Sequence, residues 1–309
     1  MIDIVFLGTG SALPTARRNL SGVALLRRGE IFLFDCGEAT QIQFRRAGLK
    51  PGKLRYIFIS HFHGDHLFGL PGLLTSLKML GCQQEIHLFG PAGLASYIRF
   101  HQDLCGFELG YPLTIHEITE GSEAIIWRTP DYHVEWQPLQ HRIFTAGFAL
   151  VETNRPGKFD DAKASALGVP FGPERGRLQA GESIVLNDGR TIKPEEVIGP
   201  ARPGLKIAYC VDTSPCPGEE ILARNADALI ADATFPWQDH EWAYQTGHST
   251  PADAGKIAQR CGVRQLFLTH FSGTLGQADL PAMAAEAREF FPHVTAATDL
   301  ARFTIRESD

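Results

Sequence analysis

"LRYIFISHFHGDHLFGL", residues 54–70, decides how this chain folds and where its chemistry sits. The run "LRYIFI" is apolar, β-branched and aromatic, which is the composition of a buried strand. His61, His63, Asp65 and His66 follow it directly. The cluster therefore falls at a strand's C-terminal end, where α/β sheets tend to place their functional residues.

The same format recurs along the chain: "DIVFLG" before Thr9, "IFLFDCG" with Asp35, "LKIAYCVDT" with Asp212, "ALIADAT" with Asp232 and "QLFLTH" with His270. Helical periodicity runs through "DHLFGLPGLLTSLKML", "ADAGKIAQRC" and "LPAMAAEAREFF". The second of these follows "HST", so Ser249 or Thr250 is the expected cap, with Pro251 in the first turn. Strands alternating with helices make the class α/β. From about Asn154 to Gly204 the text turns rich in Gly and Pro and poor in large aliphatics, which predicts a projecting insertion with little core of its own.

At 309 residues the chain makes one large domain or two smaller ones, and with 44% hydrophobic residues it can bury an ample core. No apolar segment approaches a membrane-spanning length and the N-terminus lacks a basic start, so a soluble, cytoplasmic protein with no membrane partner is expected. The six cysteines are scattered without C-x-x-C pairs, which argues against a zinc finger or a secreted disulfide framework. A net charge of −6 disfavours a polyanionic partner unless a local basic surface provides for one.

Three imidazoles beside a carboxylate suit zinc or a similar divalent ion. On an extended loop His61 and His63 point the same way and share one ion, whereas Asp65 and His66, at the turn into a helix, suit a second. Further ligands must come from afar, and His141, Asp212 and His270 are available. An aspartate at a strand end can bridge two ions through its two oxygens. Asp35 is read as an acceptor that fixes a histidine ring. His87, His101, His116, His133 and His293 are read as ordinary structural histidines.

These residues resemble the metallo-β-lactamase superfamily and, within it, the ribonuclease Z family. "FLGTGSALPTARRN", "FDCGEATQ", "SHFHGDHLFGLPGLL", "HR" at 141–142, "RPGKFD", "DT" at 212–213, "HEWAYQTGHST" and "LTHFS" carry the likeness over nearly the whole chain. It departs at "PTARRN", with Ala16 where the family often has Lys, and at "FSGTL" after His270. The resemblance implies a four-layer αβ/βα sandwich over 1–309 with a tRNA-binding arm at about 154–204. It also implies two Zn2+ per subunit: His61, His63 and His141 on one, Asp65, His66 and His270 on the other, and Asp212 shared. Asp65 becomes a proton acceptor, and His248 contacts the scissile phosphate or protonates the leaving oxygen, with Glu241 holding its ring.

The activity implied is removal of the 3′ trailer from precursor tRNA by a homodimer, with no DNA partner. Arg17, Arg18, Arg45 and Arg46 near the site, and Arg155, Lys158, Lys163, Arg175 and Arg177 on the arm, are the expected RNA contacts. Two rival readings remain: a hydrolase of small substrates on the same fold, and a zinc- or RNA-binding protein without turnover.

Overall fold

The computed structural model describes residues 1–307. The chain divides into two compact units: Met1–Thr129, His133–Val151 and the chain from Leu205 onward form one, and Pro130–Tyr132 with Glu152–Gly204 the other.

In chain order the strands are Ile2–Gly8 (β1), Gly22–Arg27 (β2), Glu30–Phe34 (β3), Leu54–Phe58 (β4), Ile86–Pro91 (β5) and Leu113–Ile118 (β6). Ile125–Arg128 (β7), Tyr132–Pro138 (β8) and Ala146–Glu152 (β9) follow, then the short pair Ile184–Val185 (β10) and Thr191–Ile192 (β11). Lys206–Cys210 (β12), Ala228–Asp232 (β13), Leu266–Thr269 (β14), Val294–Ala296 (β15) and Arg302–Ile305 (β16) complete them. Two seven-stranded sheets result, in the orders β16-β1-β2-β3-β4-β5-β6 and β15-β14-β13-β12-β9-β8-β7. β3 to β6 run parallel in the first, as do β12 to β15 in the second.

The side-chain period of two sorts each strand by residue type. Phe34 and Phe58 point between the sheets, where they meet Phe148 and Tyr209 of the second sheet, while Phe6 meets Phe267. Alternate positions carry aliphatics that face the helices. Leu33, Ile57 and Leu88 pack with Leu70, Leu74 and Leu77 of the helix Leu70–Met79. On the second sheet Ala208, Leu229 and Leu268 pack with Ile257 of the helix Pro251–Arg260 and Met283 of the helix Leu280–Arg288. Each fully buried Phe or Leu contributes about 1.5–3 kcal/mol of transfer free energy. Helix, sheet, sheet and helix make the expected four layers. Thr250, rather than Ser249, caps Pro251–Arg260, accepting from Asp253 N while the Asp253 carboxylate returns the bond.

The smaller unit has more core than its sequence suggested. Ala164, Val169, Leu178, Ile184, Ile192 and Val197 cluster within it. Its ends are paired, since Arg155 N donates to Arg202 O and Arg202 N to Arg155 O, each at 2.9 Å. The expectation that Arg175 contacts RNA is corrected here. Its side chain is only 7% exposed, pairs with Asp161 at 2.6 Å, donates to Ser165 Oγ and Val169 O, and lies 3.6 Å over the Phe171 ring. A cation that satisfies carbonyl and carboxylate acceptors inside the fold cannot also reach a phosphate. Arg175→Met is expected to destabilise this unit by about 1–3 kcal/mol, seen as faster hydrogen exchange in the helices Asp161–Ala166 and Pro173–Gln179; unchanged exchange there would contradict the assignment. Lys158, Lys163 and Arg177 are exposed, Arg177 beside Glu182, and Arg155 is half-buried.

Candidate metal centre

Four parallel strands deliver the site from their C-terminal ends. β4 leads into His61 and His63, β12 into Asp212, β13 ends on Asp232, and β14 is followed by His270. Asp65 and His66 enter on the short helix Gly64–Leu67, and His141 sits between β8 and β9. Both sheets therefore contribute. Asp35, Asp212 and His270 are held at φ of 57°, 56° and 63°, a left-handed conformation that costs a non-glycine residue on the order of 1–2 kcal/mol and concentrates at functional sites.

The ligand atoms form two groups. His61 Nε2 and His141 Nε2 stand 3.0 and 3.3 Å from His63 Nδ1, and Asp212 Oδ2 lies 3.4 and 3.7 Å from those two Nε2 atoms. In the second group His66 Nε2 and His270 Nε2 are 3.1 Å apart, each 3.5 Å from Asp65 Oδ2, and Asp212 Oδ1 is 3.1 and 2.8 Å from them. Four atoms around a tetrahedral ion with bonds of about 2.0–2.1 Å stand about 3.3–3.4 Å apart. Both groups fit that edge length, and Asp212 offers one oxygen to each.

The hydrogen bonds behind the rings fix what the inner nitrogens carry. His66 Nδ1 donates to Asp35 Oδ2 at 2.7 Å and His141 Nδ1 to Gly247 O at 2.7 Å. Gly247 is held at φ 78°, and a Cβ there would lie 2.7 Å from His141 Nδ1. Two hydroxyls act alike on opposite sheets. Ser60 Oγ donates to Asp35 at 2.9 Å and accepts from His61 Nδ1 at 2.9 Å, while Thr234 Oγ1 donates to Asp232 at 2.7 Å and accepts from His270 Nδ1 at 2.8 Å. With Nδ1 of these four rings engaged, Nε2 of His61, His66, His141 and His270 turns inward, where His63 presents its Nδ1. Asp212 Oδ1 is buried and accepts no hydrogen bond among the described residues. Ring nitrogens and carboxylate oxygens that converge on one another, one of those oxygens orphaned, are what a divalent cation relieves, so the residues fit a metal pair.

Electrostatics agree. Burial pushes His141 down to about 4 and lowers His61 and His63, so these rings are neutral at neutral pH, the form in which imidazole can bind a metal. Burial acts the same way on His66 and His270, but Asp212, Asp35 and Asp65 around His66, and Asp212, Asp65 and Asp232 around His270, more than offset it. They lift His66 well above the ordinary imidazole value and His270 to about 10. That field attracts positive charge of any kind. Burial would raise Asp212, yet His270, His66 and His61 hold its carboxyl well below the usual range.

Asp35 also accepts from Ser60 N and Tyr209 OH, each at 2.7 Å, and these bonds hold the carboxylate that the His66 ring meets. The pairing proposed for His248 is different from expectation. Its Nδ1 bonds Asp232 Oδ2 at 2.9 Å, whereas Glu241 is exposed in the first turn of the helix His240–Thr246. The helix ends at Gly247 and turns the chain so that His248 packs beside β13, not back over Glu241. Asp232 was visible as a strand-end carboxylate, but nothing in the spacing joined it to His248.

Arg18 is also corrected as an RNA contact: it is 4% exposed, donates to the carbonyls of Ser272 and Leu275 at 3.1 Å, and lies over Phe271. Arg17 is exposed, as are Arg45 and Arg46 on the helix Thr40–Arg46. His87 and His116 bond each other, His101 bonds Tyr97 O and His133 bonds Glu135, all away from the centre.

A helix-sheet-sheet-helix sandwich with a histidine and aspartate centre at the strand ends of both sheets defines a metallo-β-lactamase-type hydrolase. Residues 2–106 match the family described as Anti-Pycsar protein Apyc1, and residues 184–271 the beta-lactamase superfamily domain. Ribonuclease Z of Acaryochloris marina is 44% identical over 98% of this chain and 98% of its own, and that of Salinibacter ruber 40% over 98% and 94%. The crystal structure of human tRNase Z, short form, superposes with a TM-score of 0.72 at 30% identity, covering 98% of this chain and 99% of that one. The metallo-beta-lactamase fold protein YhfI from Bacillus subtilis, at 16% identity over 98% of both chains and TM-score 0.68, shares the fold. The chain belongs to the ribonuclease Z family.

Proposed function

We propose that this chain is the endoribonuclease that removes the 3′ trailer from precursor tRNA, leaving a 3′-hydroxyl tRNA and a 5′-phosphate trailer. The observation that carries the reading is kinship with ribonuclease Z over 98% of the chain, with the complete donor set assembled at one place. His61, His63 and His141 would hold one zinc ion and Asp65, His66 and His270 a second, with Asp212 placed to serve both. When bound, the pair supplies Lewis-acid polarisation of the phosphodiester and acidifies a water toward neutral pH. The protein works in the cytoplasm as a homodimer, the arm at 154–204 of one subunit holding precursor tRNA for the other's site. Arg17, Arg155, Lys158, Lys163 and Arg177 are the phosphate contacts retained in this reading.

The chain's own residues then divide the proton work. Asp65 accepts the proton of the attacking water. Asp232 accepts a hydrogen bond from Nδ1–H of His248, so Nε2 is the nitrogen turned to the substrate, and in the imidazolium form its Nε2–H protonates the departing 3′ oxygen. His248→Ala is expected to keep its metal and lose about a hundredfold or more in rate, whereas Glu241→Gln leaves the rate near wild type. Metal analysis beside turnover checks this, and loss of metal in His248→Ala would make that residue a ligand. The activity is tested by incubating end-labelled precursor tRNA with the protein and mapping the cut. Hydrolysis of bis(p-nitrophenyl) phosphate without a cut at the trailer junction would turn the reading to a small-substrate phosphodiesterase, and two bound zinc ions without either activity to a binding protein.

A further inference from the structure

The segment Thr9–Asn19, between β1 and β2, is tied down at both ends by one carboxylate. Asp299 Oδ1 accepts from Thr9 N at 3.0 Å and Thr9 Oγ1 at 2.8 Å, and Asp299 Oδ2 accepts from Asn19 N at 2.7 Å and Gln43 Nε2 at 3.2 Å. Arg18 fastens the same segment to the carbonyls after His270, and Ser11 N bonds Phe271 O at 3.0 Å. What this clamp holds in place is the amide of Ala12. That residue is exposed, sits at φ 55°, and donates its N–H to Asp65 Oδ2 at 2.8 Å. The accepting oxygen is the one facing His66 Nε2 and His270 Nε2.

A carboxylate on a short helix can swing about its Cα–Cβ and Cβ–Cγ bonds. One fixed amide on Oδ2 removes that freedom and leaves the remaining lone pair aimed at the two imidazole nitrogens. We propose that Asp299 is a positioning residue: by closing the Thr9–Asn19 segment it presents the Ala12 N–H that orients Asp65 toward His66 and His270. The inference rests on reading Asp65 as a ligand and proton acceptor. It concerns a residue distant in sequence from every residue assigned to the metal.

The test uses the full-length protein with three readouts. In the wild type, the Ala12 amide is slow to exchange with deuterium although the residue is exposed; free exchange there would overturn the proposal without any variant. In Asp299→Asn, one oxygen cannot accept from both ends, and the Ala12 amide exchanges at least about tenfold faster. Zinc alone, titrated against a chelating dye, binds one of its two sites about tenfold more weakly, within the range typical of lost outer partners. Turnover of bis(p-nitrophenyl) phosphate falls by about tenfold in kcat with KM unchanged. A purely structural Asp299 lowers the melting temperature but leaves zinc affinity and kcat intact below it, and that result would also overturn the proposal. Exchange and zinc titration do not depend on RNA cleavage, so failure on precursor tRNA alone would count against the activity and not against this role.

Discussion

Asp212→Ala is expected to abolish hydrolysis and lower bound metal at the same time. The residue lies on the turn after β12, is 2% exposed, and offers Oδ2 to the His61 and His141 side and Oδ1 to the His66 and His270 side. Among the described residues no other carboxylate faces both groups: Asp65 meets only the second, and Asp232 is occupied by Thr213 N, Thr234 and His248. Removal leaves each candidate ion with three ligands in place of four, and the rings that faced Asp212 are left beside one another. The measurement pairs metal analysis with turnover of bis(p-nitrophenyl) phosphate. Near-normal turnover with two ions bound would exclude a shared ligand.

The second large effect is expected to be selective. Replacing residues Arg155 to Arg202 with a short Gly/Ser linker should spare hydrolysis of a small phosphodiester and collapse cleavage of precursor tRNA. The replacement is geometrically mild because Arg155 and Arg202 already pair as neighbours in an antiparallel bridge, so the linker spans only about 5 Å. The core of the smaller unit leaves with the segment, and every residue assigned to the metal lies outside it. The salt dependence of RNA binding should flatten as phosphate contacts are lost. A surface loop without a role predicts that both activities persist, and a structural role predicts that both fall together with the melting temperature. Unchanged cleavage of precursor tRNA by the shortened chain would sink the clamp.

Much of this architecture is legible in the sequence because its signals are local. Of the six apolar runs that end in a capable residue, β3, β4, β12, β13 and β14 have parallel neighbours and end at the site, while β1 before Thr9 is antiparallel to both of its neighbours. H-x-H-x-D-H places imidazoles and a carboxylate within one turn. Strands at a sheet edge or next to one are harder to read. "LTIHEI" and "YHVEWQP" alternate apolar with polar residues because they are only partly covered, and so lack the continuous apolar run. The pairing of Asp232 with His248 was unreadable for a different reason. It depends on β13 lying between β12 and β14, a matter of strand order that the intervening residues do not encode. Glu241 enters as the partner through the family resemblance alone, with no signal of its own in the residues around it. Arg18 and Arg175 misled through charge alone. A guanidinium has five donors, and where carbonyls converge it is worth more inside than out.

The donors for one ion pair come from two sheets, His61, His63, Asp65 and His66 from the first and His141, Asp212 and His270 from the second. Unfolding separates them, so an ion that binds the assembled set shifts the folding equilibrium by mass action, about 2.7 kcal/mol at a hundredfold excess over its Kd. Metal supply would then govern how long the polypeptide survives proteolysis as well as how fast it turns over. A cell short of metal would hold fewer copies of this protein, in addition to slower ones.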